Sequence, residues 1–424
     1  MEKFILKGGK KLQGEVFVSV AKNSILPIIA ATILSGSKCT IENAPELEDV
    51  YVICDLLKSI NVKADFKEGS IYLDSSCMVG NEEPDSELVR KMRASFLIMG
   101  PMLSRFGRVK ISLPGGCNIG SRPIDLHLKG FKALGATIDL GHGFVEAKAD
   151  KLRGGSIYLD FPSVGATENI MMAAVLADGD TIIENAAEEP EIKDLANFLV
   201  KMGAIISGAG TDTIIIKGVK QLKGVSYTPI FDRIEAGTYM VAGALTNSNI
   251  KIVGAEEENL RSLIAKLIEC GVKLEIGQGF IIINGHDGLS PIDIKTMPYP
   301  GFPTDMQSPM MSLMCLAQGT SIVTETVFEN RFMHASELKR MGANIKIDGR
   351  CAVIEGIKSF SGCNVKATDL RAGAALILAG LVAEGTTTIE DIYHIDRGYV
   401  CIEKKLKKLG ANIERIQVWC FLTG

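Results

Sequence analysis

Six stretches of the chain are apolar on nearly every side: Ser24–Leu34, Ser95–Leu103, Asn169–Ala177, Thr238–Leu245, Met310–Ala317 and Ala372–Ala383. A helix without a polar face has to be buried all round, so these segments predict six helices enclosed by other structure. Between them lie helical segments with one apolar stripe, such as Leu260–Glu269, which predict helices laid with a single face on a core. Each stripe ends at a short signal followed by alternating residues, for example Leu134-Gly135-Ala136 and then Ile138-Asp139-Leu140, or Met341-Gly342-Ala343 and then Ile345-Lys346-Ile347. Alternation of this kind predicts strands.

The marker recurs at Asn61, Gly135, Gly203, Gly271, Gly342 and Gly410, in steps of 68 to 74 residues. Glycine or asparagine there fits a left-handed residue that closes a helix. The repeating unit is strand, buried helix, strand, second helix and two strands, a βαβαββ pattern present six times. Solenoid repeats usually run about 20–45 residues, so this spacing argues for compact domains and against a stacked array. The fold class is therefore α/β (α+β in some schemes), with two domains of three units each. In each domain the sheets would wrap central helices, an inside-out α/β barrel. The change of domain is expected near Tyr227–Asp232, so that residues 22–229 form the first domain and residues 1–21 plus 230–424 the second.

Polar residues gather where the apolar helices begin: Lys22 and Asn23, Arg93, Ser163 to Gly165, Asp232 to Glu235, Thr304 and Asp305, and Asp369 to Arg371. Capping explains the hydroxyls and carboxylates. It does not explain Lys22, Arg93 and Arg371, because a cation opposes the positive end of the helix dipole. For these three the pattern favours anion binding, since helix N-termini also attract phosphates and carboxylates.

Composition narrows the function. The 424 residues are 46% apolar, 23% charged and 6% aromatic, with a net charge of −4. No block of five like charges suggests a nucleic-acid arm or a membrane-binding patch. Ten cysteines form neither a CxxC pair nor a Cys–His set with zinc-like spacing. No apolar run reaches membrane-spanning length, and the N-terminus lacks a signal-peptide core. A cytoplasmic, reducing environment is expected, with nine of the ten thiols acting as small core residues.

The tenth is Cys117, in Leu113-Pro-Gly-Gly-Cys117-Asn-Ile-Gly-Ser-Arg122-Pro-Ile-Asp125-Leu-His127. Glycine, proline and serine mark a mobile loop. A nearby arginine favours the thiolate, which makes Cys117 a candidate acid or nucleophile, with an inert loop thiol as the alternative. Arg397, between turn-forming residues, suits an anion contact or a structural ion pair equally. His334 and His394 suit hydrogen-bonded structural positions. No Ser–His–Asp set and no Walker or dinucleotide fingerprint is present.

These residues together resemble the UDP-N-acetylglucosamine 1-carboxyvinyltransferase family of enolpyruvyl transferases, nearly end to end. The resemblance rests on Ala21-Lys22-Asn23, Lys91-Met92-Arg93-Ala94-Ser95, Pro114 to Cys117, Gly120 to His127, Ser163 to Thr167, Asp232 to Glu235, Phe302 to Gln307, Phe328 to His334, Thr368 to Arg371 and His394 to Gly398. It implies two inside-out α/β domains with an active site between them. It also implies transfer of the enolpyruvyl group of phosphoenolpyruvate to the 3-hydroxyl of UDP-N-acetylglucosamine with release of phosphate, by addition and elimination. That is the first committed step of peptidoglycan synthesis, in the cytoplasm, and through it bears on cell shape and division. Phosphoenolpyruvate would be held by Lys22, Asn23, Arg122, Arg371 and Arg397. The nucleotide sugar would be held by Asn23, Arg93, Arg122, Pro123, Ile124, Asp125, Leu126, Ser163, Val164, Gly165, Asp305 and Val327. Asp305 would take the hydroxyl proton, with Lys22 and Arg397 also catalytic. Cys117 would be the loop acid, the site of a covalent adduct and the target of fosfomycin. Asp232, Arg331 and Asp369 would support the site. No metal or cofactor is implied, and oligomeric state is left open. Phe161 stands where some relatives carry lysine. The other readings are 5-enolpyruvylshikimate-3-phosphate synthase, which shares the chemistry, and a non-catalytic regulator that binds nucleotide sugar.

Overall fold

The computed structural model describes residues 2–115 and 124–417. Its described residues fall into two compact units, one of residues 20–115 and 124–230, the other of residues 2–19 and 231–417. Each is built from three small sheets and three buried helices.

In the 20–230 unit the buried helices are Lys22–Ala31, Met99–Phe106 and Val164–Ala174. In the 231–417 unit they are Arg233–Leu245, Gln307–Met314 and Leu370–Val382. The last is enclosed from Arg371 through Leu381, and Arg233–Leu245 from Ile234 onward. Small residues allow helices and strands to approach this closely. At Gly237 a Cβ would meet Leu263 at 2.6 Å, and Ser312 Oγ donates to the Ala375 carbonyl across a helix pair at 2.9 Å. Truncating an enclosed isoleucine such as Ile28 or Ile377 would therefore cost about 2–5 kcal/mol.

The predicted repeat is visible strand by strand. In the third copy, strand Ser156–Tyr158 leads into Val164–Ala174 and lies parallel to strand Asp180–Glu184. Helix Pro190–Met202 follows, and then the antiparallel strands Ile205–Ser207 and Thr213–Lys217. All six markers adopt positive φ: 64° at Asn61 and 92°, 112°, 92°, 96° and 100° at Gly135, Gly203, Gly271, Gly342 and Gly410. The second copy departs from the pattern. Its sheet has three strands, and helix Ser86–Lys91 stands where a leading strand was expected. Asp85 caps that helix by accepting from the amides of Glu87 and Leu88, which commits the segment to helix.

Some strands serve a copy distant in sequence. Strand Ser226–Tyr227 leads the first copy, parallel to Lys38–Ile41. Strand Gln13–Phe17 leads the fourth, parallel to Asn249–Val253. Strand Glu2–Lys7 completes the sixth, between Thr386–Glu390 and Asn412–Gln417. No helix among the described residues is long and apolar enough to cross a membrane.

The cysteines correct one expectation. Cys39, Cys54, Cys270 and Cys315 are buried, but Cys351, Cys363 and Cys401 are half-buried and Cys77 is exposed. Cys351 sits on a strand position facing outward, and Cys77 lies in the turn that follows strand Ser70–Asp74. Cys420 lies outside the described residues.

Candidate active site

The sequence-predicted residues are positioned by the starts of the buried helices. In the 20–230 unit, Lys22 is the first residue of its helix, and its Nζ lies 2.5 Å from the carboxylate of buried Asp49. Aspartate thus compensates a cation that faces the wrong end of a helix dipole. Asn23 is exposed beside it. Arg93 opens a short 3-10 turn that continues into Met99–Phe106. Ser163 caps Val164–Ala174, accepting from the amide of Ala166 at 3.4 Å, and Val164 and Gly165 form the first turn. Ile124 and Asp125 start helix Asp125–Ala133, with Leu126 half-buried behind them. Phe161 is exposed just before Ser163. Cys117, Arg122 and Pro123 lie outside the described residues.

His127 joins these turns. Asn169 Oδ1 accepts from the amide of Gly100 at 2.7 Å, so its Nδ2 is the donor, reaching the Phe96 carbonyl and His127 Nδ1 at 3.0 Å each. Nδ1 is therefore an acceptor, and the ring carries its proton on Nε2. Burial, with the charge of Arg93 adding to it, pulls this imidazole down to about 3. A methyl group at Gly165 would come 3.3 Å from the ring, a tight contact that the imidazole would have to relieve by moving a few tenths of an ångström.

In the 231–417 unit Asp305 is the focus. It lies in the turn Thr304–Met306 that leads into Gln307–Met314. Arg331 Nη2 donates to its Oδ1 at 2.7 Å, and Arg371 Nε and Nη2 donate to its Oδ2 at 3.2 and 3.0 Å. Both guanidiniums are about 4% exposed, whereas the Asp305 side chain is 26% exposed. Two buried guanidiniums thus fix the carboxylate in place while its side chain keeps partial access to solvent. Arg371 lies over the ring of Tyr399, 5.3 Å from its centre. Asp369 caps the Leu370–Val382 helix through the amides of Arg371 and Ala372, and Asp232 caps Arg233–Leu245 through those of Ile234 and Glu235. Capping accounts for these two acids and for Ser163. Arg397 is half-buried and ends the short helix Tyr393–Asp396. His334 is fully buried, its Nδ1 on the Arg331 carbonyl, and burial pulls it down to about 4. Burial also lowers His394.

The structure adds residues that the sequence reading did not select. Asp49 partners Lys22. Glu325, fully buried, accepts four hydrogen bonds next to Asp305 and Val327. Neither stands in a composition or spacing pattern that marks it out. His127 lay inside a matched motif without an assigned part. Among the described residues no group of three acidic, histidine or cysteine side chains is arranged to hold a metal.

Similarity to known proteins identifies the family and the fold. A family model described as EPSP synthase (3-phosphoshikimate 1-carboxyvinyltransferase) matches residues 6–406. The chain is 67% identical to UDP-N-acetylglucosamine 1-carboxyvinyltransferase 1 of Clostridium acetobutylicum, over 98% of this chain and 100% of that protein. It is 68% identical to UDP-N-acetylglucosamine 1-carboxyvinyltransferase 2 of Clostridium tetani, again over 98% and 100%. Among solved structures, the enolpyruvyl transferase NikO from Streptomyces tendae is similar with a TM-score of 0.89 at 26% identity, covering 99% of both chains. An EPSP synthase from Acinetobacter baumannii shares the fold, with a TM-score of 0.75 at 19% identity over 98% of this chain and 100% of that one.

Proposed function

The chain belongs to the enolpyruvyl transferase family, and we propose that it transfers the enolpyruvyl group of phosphoenolpyruvate to the 3-hydroxyl of UDP-N-acetylglucosamine, releasing phosphate. The observation that carries the choice of acceptor is the 67–68% identity, across the whole length, to proteins named for that nucleotide sugar. The shikimate acceptor is the reading of the family model's description, and the EPSP synthase structures stand at 19–20% identity. The reaction places the enzyme in the cytoplasm, at the start of peptidoglycan synthesis.

The chemistry follows from the residues. The sugar hydroxyl adds to C2 of phosphoenolpyruvate while C3 gains a proton; loss of a proton from C3 and of phosphate from C2 then restores the double bond. Asp305 is the group that accepts the hydroxyl proton. Arg331 and Arg371 hold its carboxylate in one orientation. Lys22, Arg122 and Arg397 neutralise the phosphate and carboxylate of phosphoenolpyruvate, with Asn23 and Arg371 beside them. Arg93, Ile124, Asp125, Leu126, Ser163, Val164 and Gly165 receive the nucleotide sugar, together with Arg122, Pro123 and Val327. Cys117 is the acid toward C3 and the thiol that adds covalently to phosphoenolpyruvate.

The deciding assay is phosphate release from phosphoenolpyruvate with each acceptor. Release is expected with UDP-N-acetylglucosamine and not with shikimate-3-phosphate, and EDTA should leave it unchanged. The reverse acceptor preference would refute the assignment. Binding of the nucleotide sugar without any release would favour a non-catalytic regulator.

A further inference from the structure

Glu325 directly follows strand Thr320–Thr324 and is fully buried, and the mechanism gives it no part. A buried carboxylate without partners is costly, so its hydrogen bonds show what it organises. Its Oε1 accepts from Thr296 Oγ1 at 2.8 Å and from the amides of Val327 and Phe328 at 2.8 and 3.1 Å. Its Oε2 accepts from Thr304 Oγ1 at 2.9 Å. Thr296 Oγ1 in turn accepts from the amide of Thr326 at 2.9 Å, which closes the turn on itself. Thr304 precedes Asp305, and the 325–328 turn runs on to Arg331, whose guanidinium holds Asp305 from the other side. One carboxylate therefore fixes the turn that carries the proton acceptor and the turn that carries Val327 and leads to Arg331.

We propose that Glu325 is a positioning residue of the acceptor subsite, holding Asp305 and Val327 at a fixed separation. It touches neither substrate in this account, and the inference rests on the functional reading above. None of its hydrogen-bond partners is a phosphoenolpyruvate residue, so its effect should fall chiefly on the acceptor.

Steady-state kinetics with both substrates tests this. Glu325→Ala should lower kcat about 30–100-fold, the scale expected for a displacement of about 1 Å near the reacting atoms. It should raise KM for UDP-N-acetylglucosamine about 10-fold and leave KM for phosphoenolpyruvate within about two-fold. Glu325→Gln keeps an oxygen for the three donors on Oε1, and its amide can donate to Thr304, so it should recover to within about five-fold of wild type. Thr304→Val removes only the bond on the Asp305 side. It should lower kcat about 10-fold with nucleotide-sugar affinity unchanged, and it carries the test if the alanine variant fails to fold. Equal rises in both KM values for Glu325→Ala, or a Thr304→Val enzyme with wild-type kcat, would overturn the inference while wild-type turnover leaves the functional reading intact. A wild type inactive on this substrate pair would remove the reading and the inference together.

Discussion

Replacing Asp194 by alanine should destabilise the 20–230 unit by about 3 kcal/mol. Asp194 lies on helix Pro190–Met202 with only 2% of its surface exposed. Its carboxylate accepts three hydrogen bonds from two segments: Ser24 Oγ, and then Tyr227 OH at 2.6 Å and the amide of Ile230 at 3.0 Å. Ser24 sits in the helix turn that bears Lys22 and Asn23, and Ile230 is the last residue of the unit before the chain passes to the other one. Alanine takes the carboxylate from all three donors, leaving the Tyr227 hydroxyl only the residue 194 carbonyl at 3.3 Å. Each orphaned donor costs about 1–3 kcal/mol, and the hydroxyls can partly reorient, so about 1 kcal/mol apiece is a reasonable sum. Relief of a buried charge works against this, since burial raises the Asp194 carboxyl above the usual range. Asparagine keeps one acceptor oxygen, and both hydroxyls can turn to accept from its amide, so Asp194→Asn should cost about 1 kcal/mol. For a unit of this size the alanine variant should lose about 6–12 °C in melting temperature. Urea unfolding and amide exchange of the 226–231 segment report the loss directly. A penalty below about 1 kcal/mol, or an asparagine variant as damaged as alanine, would refute the reasoning.

Three further outcomes follow. Glu168 is buried, its Oε1 has no hydrogen-bond partner, and burial, together with Glu191 and Glu189, holds its carboxyl well above the usual range. The unfolded chain then loses this proton at lower pH than the fold does, so stability falls as pH rises above the ordinary glutamate range; Glu168→Gln should flatten the change in unfolding midpoint between pH 5 and pH 8, and an unchanged slope would count against it. His127, lowered to about 3 by burial, should remain neutral with its proton on Nε2 at pH 5 in nitrogen NMR, whereas a titration near the ordinary histidine value would show that the buried geometry is wrong. Timed alkylation in the native state should modify exposed Cys77 well before Cys54 and Cys315, whose thiols burial pushes up to about 12, or Cys270, pushed up to about 11; equal rates at Cys77 and Cys315 would contradict the fold.

What the sequence disclosed and what it concealed have physical causes. The repeat was legible because each helix needs a left-handed residue to close it, and glycine or asparagine meets that need at every copy. The buried helices were legible because enclosure on all sides leaves no polar face. Polar helix starts at Lys22, Arg93, Ser163 and Asp305 followed from the same boundaries. Asp194 and Glu325 were not legible, since an acid beside threonines or on an amphipathic helix looks like surface. Only partners 20 to 170 residues away reveal that they are buried. For the same reason Arg371 looked like an anion site, and the structure shows a protein carboxylate, that of Asp305, already on its guanidinium. The thiols misled because cysteine has no pattern of its own; burial is decided by the strand face or turn on which it falls. The second copy lost its leading strand to a capped helix, a local choice that repeat logic could not anticipate.

The pairing of strand Glu2–Lys7 with Asn412–Gln417 bears on how the molecule is made. A ribosome releases the first of these strands long before the second. At about 5–20 residues per second the wait is on the order of tens of seconds. Meanwhile the 20–230 stretch has every strand of its own sheets and is free to fold. Once folded, it shortens the loop that the late pairing must close by about half. That lowers the entropy cost by only about 0.6 kcal/mol, so translation sets the order of events more than chain entropy does. During the wait, strand 13–17 lacks its partner until 249–253 emerges, and strand 2–7 lacks any partner until 386–390 does. Nascent chains stalled before residue 386 should therefore be the form most prone to join edges with one another.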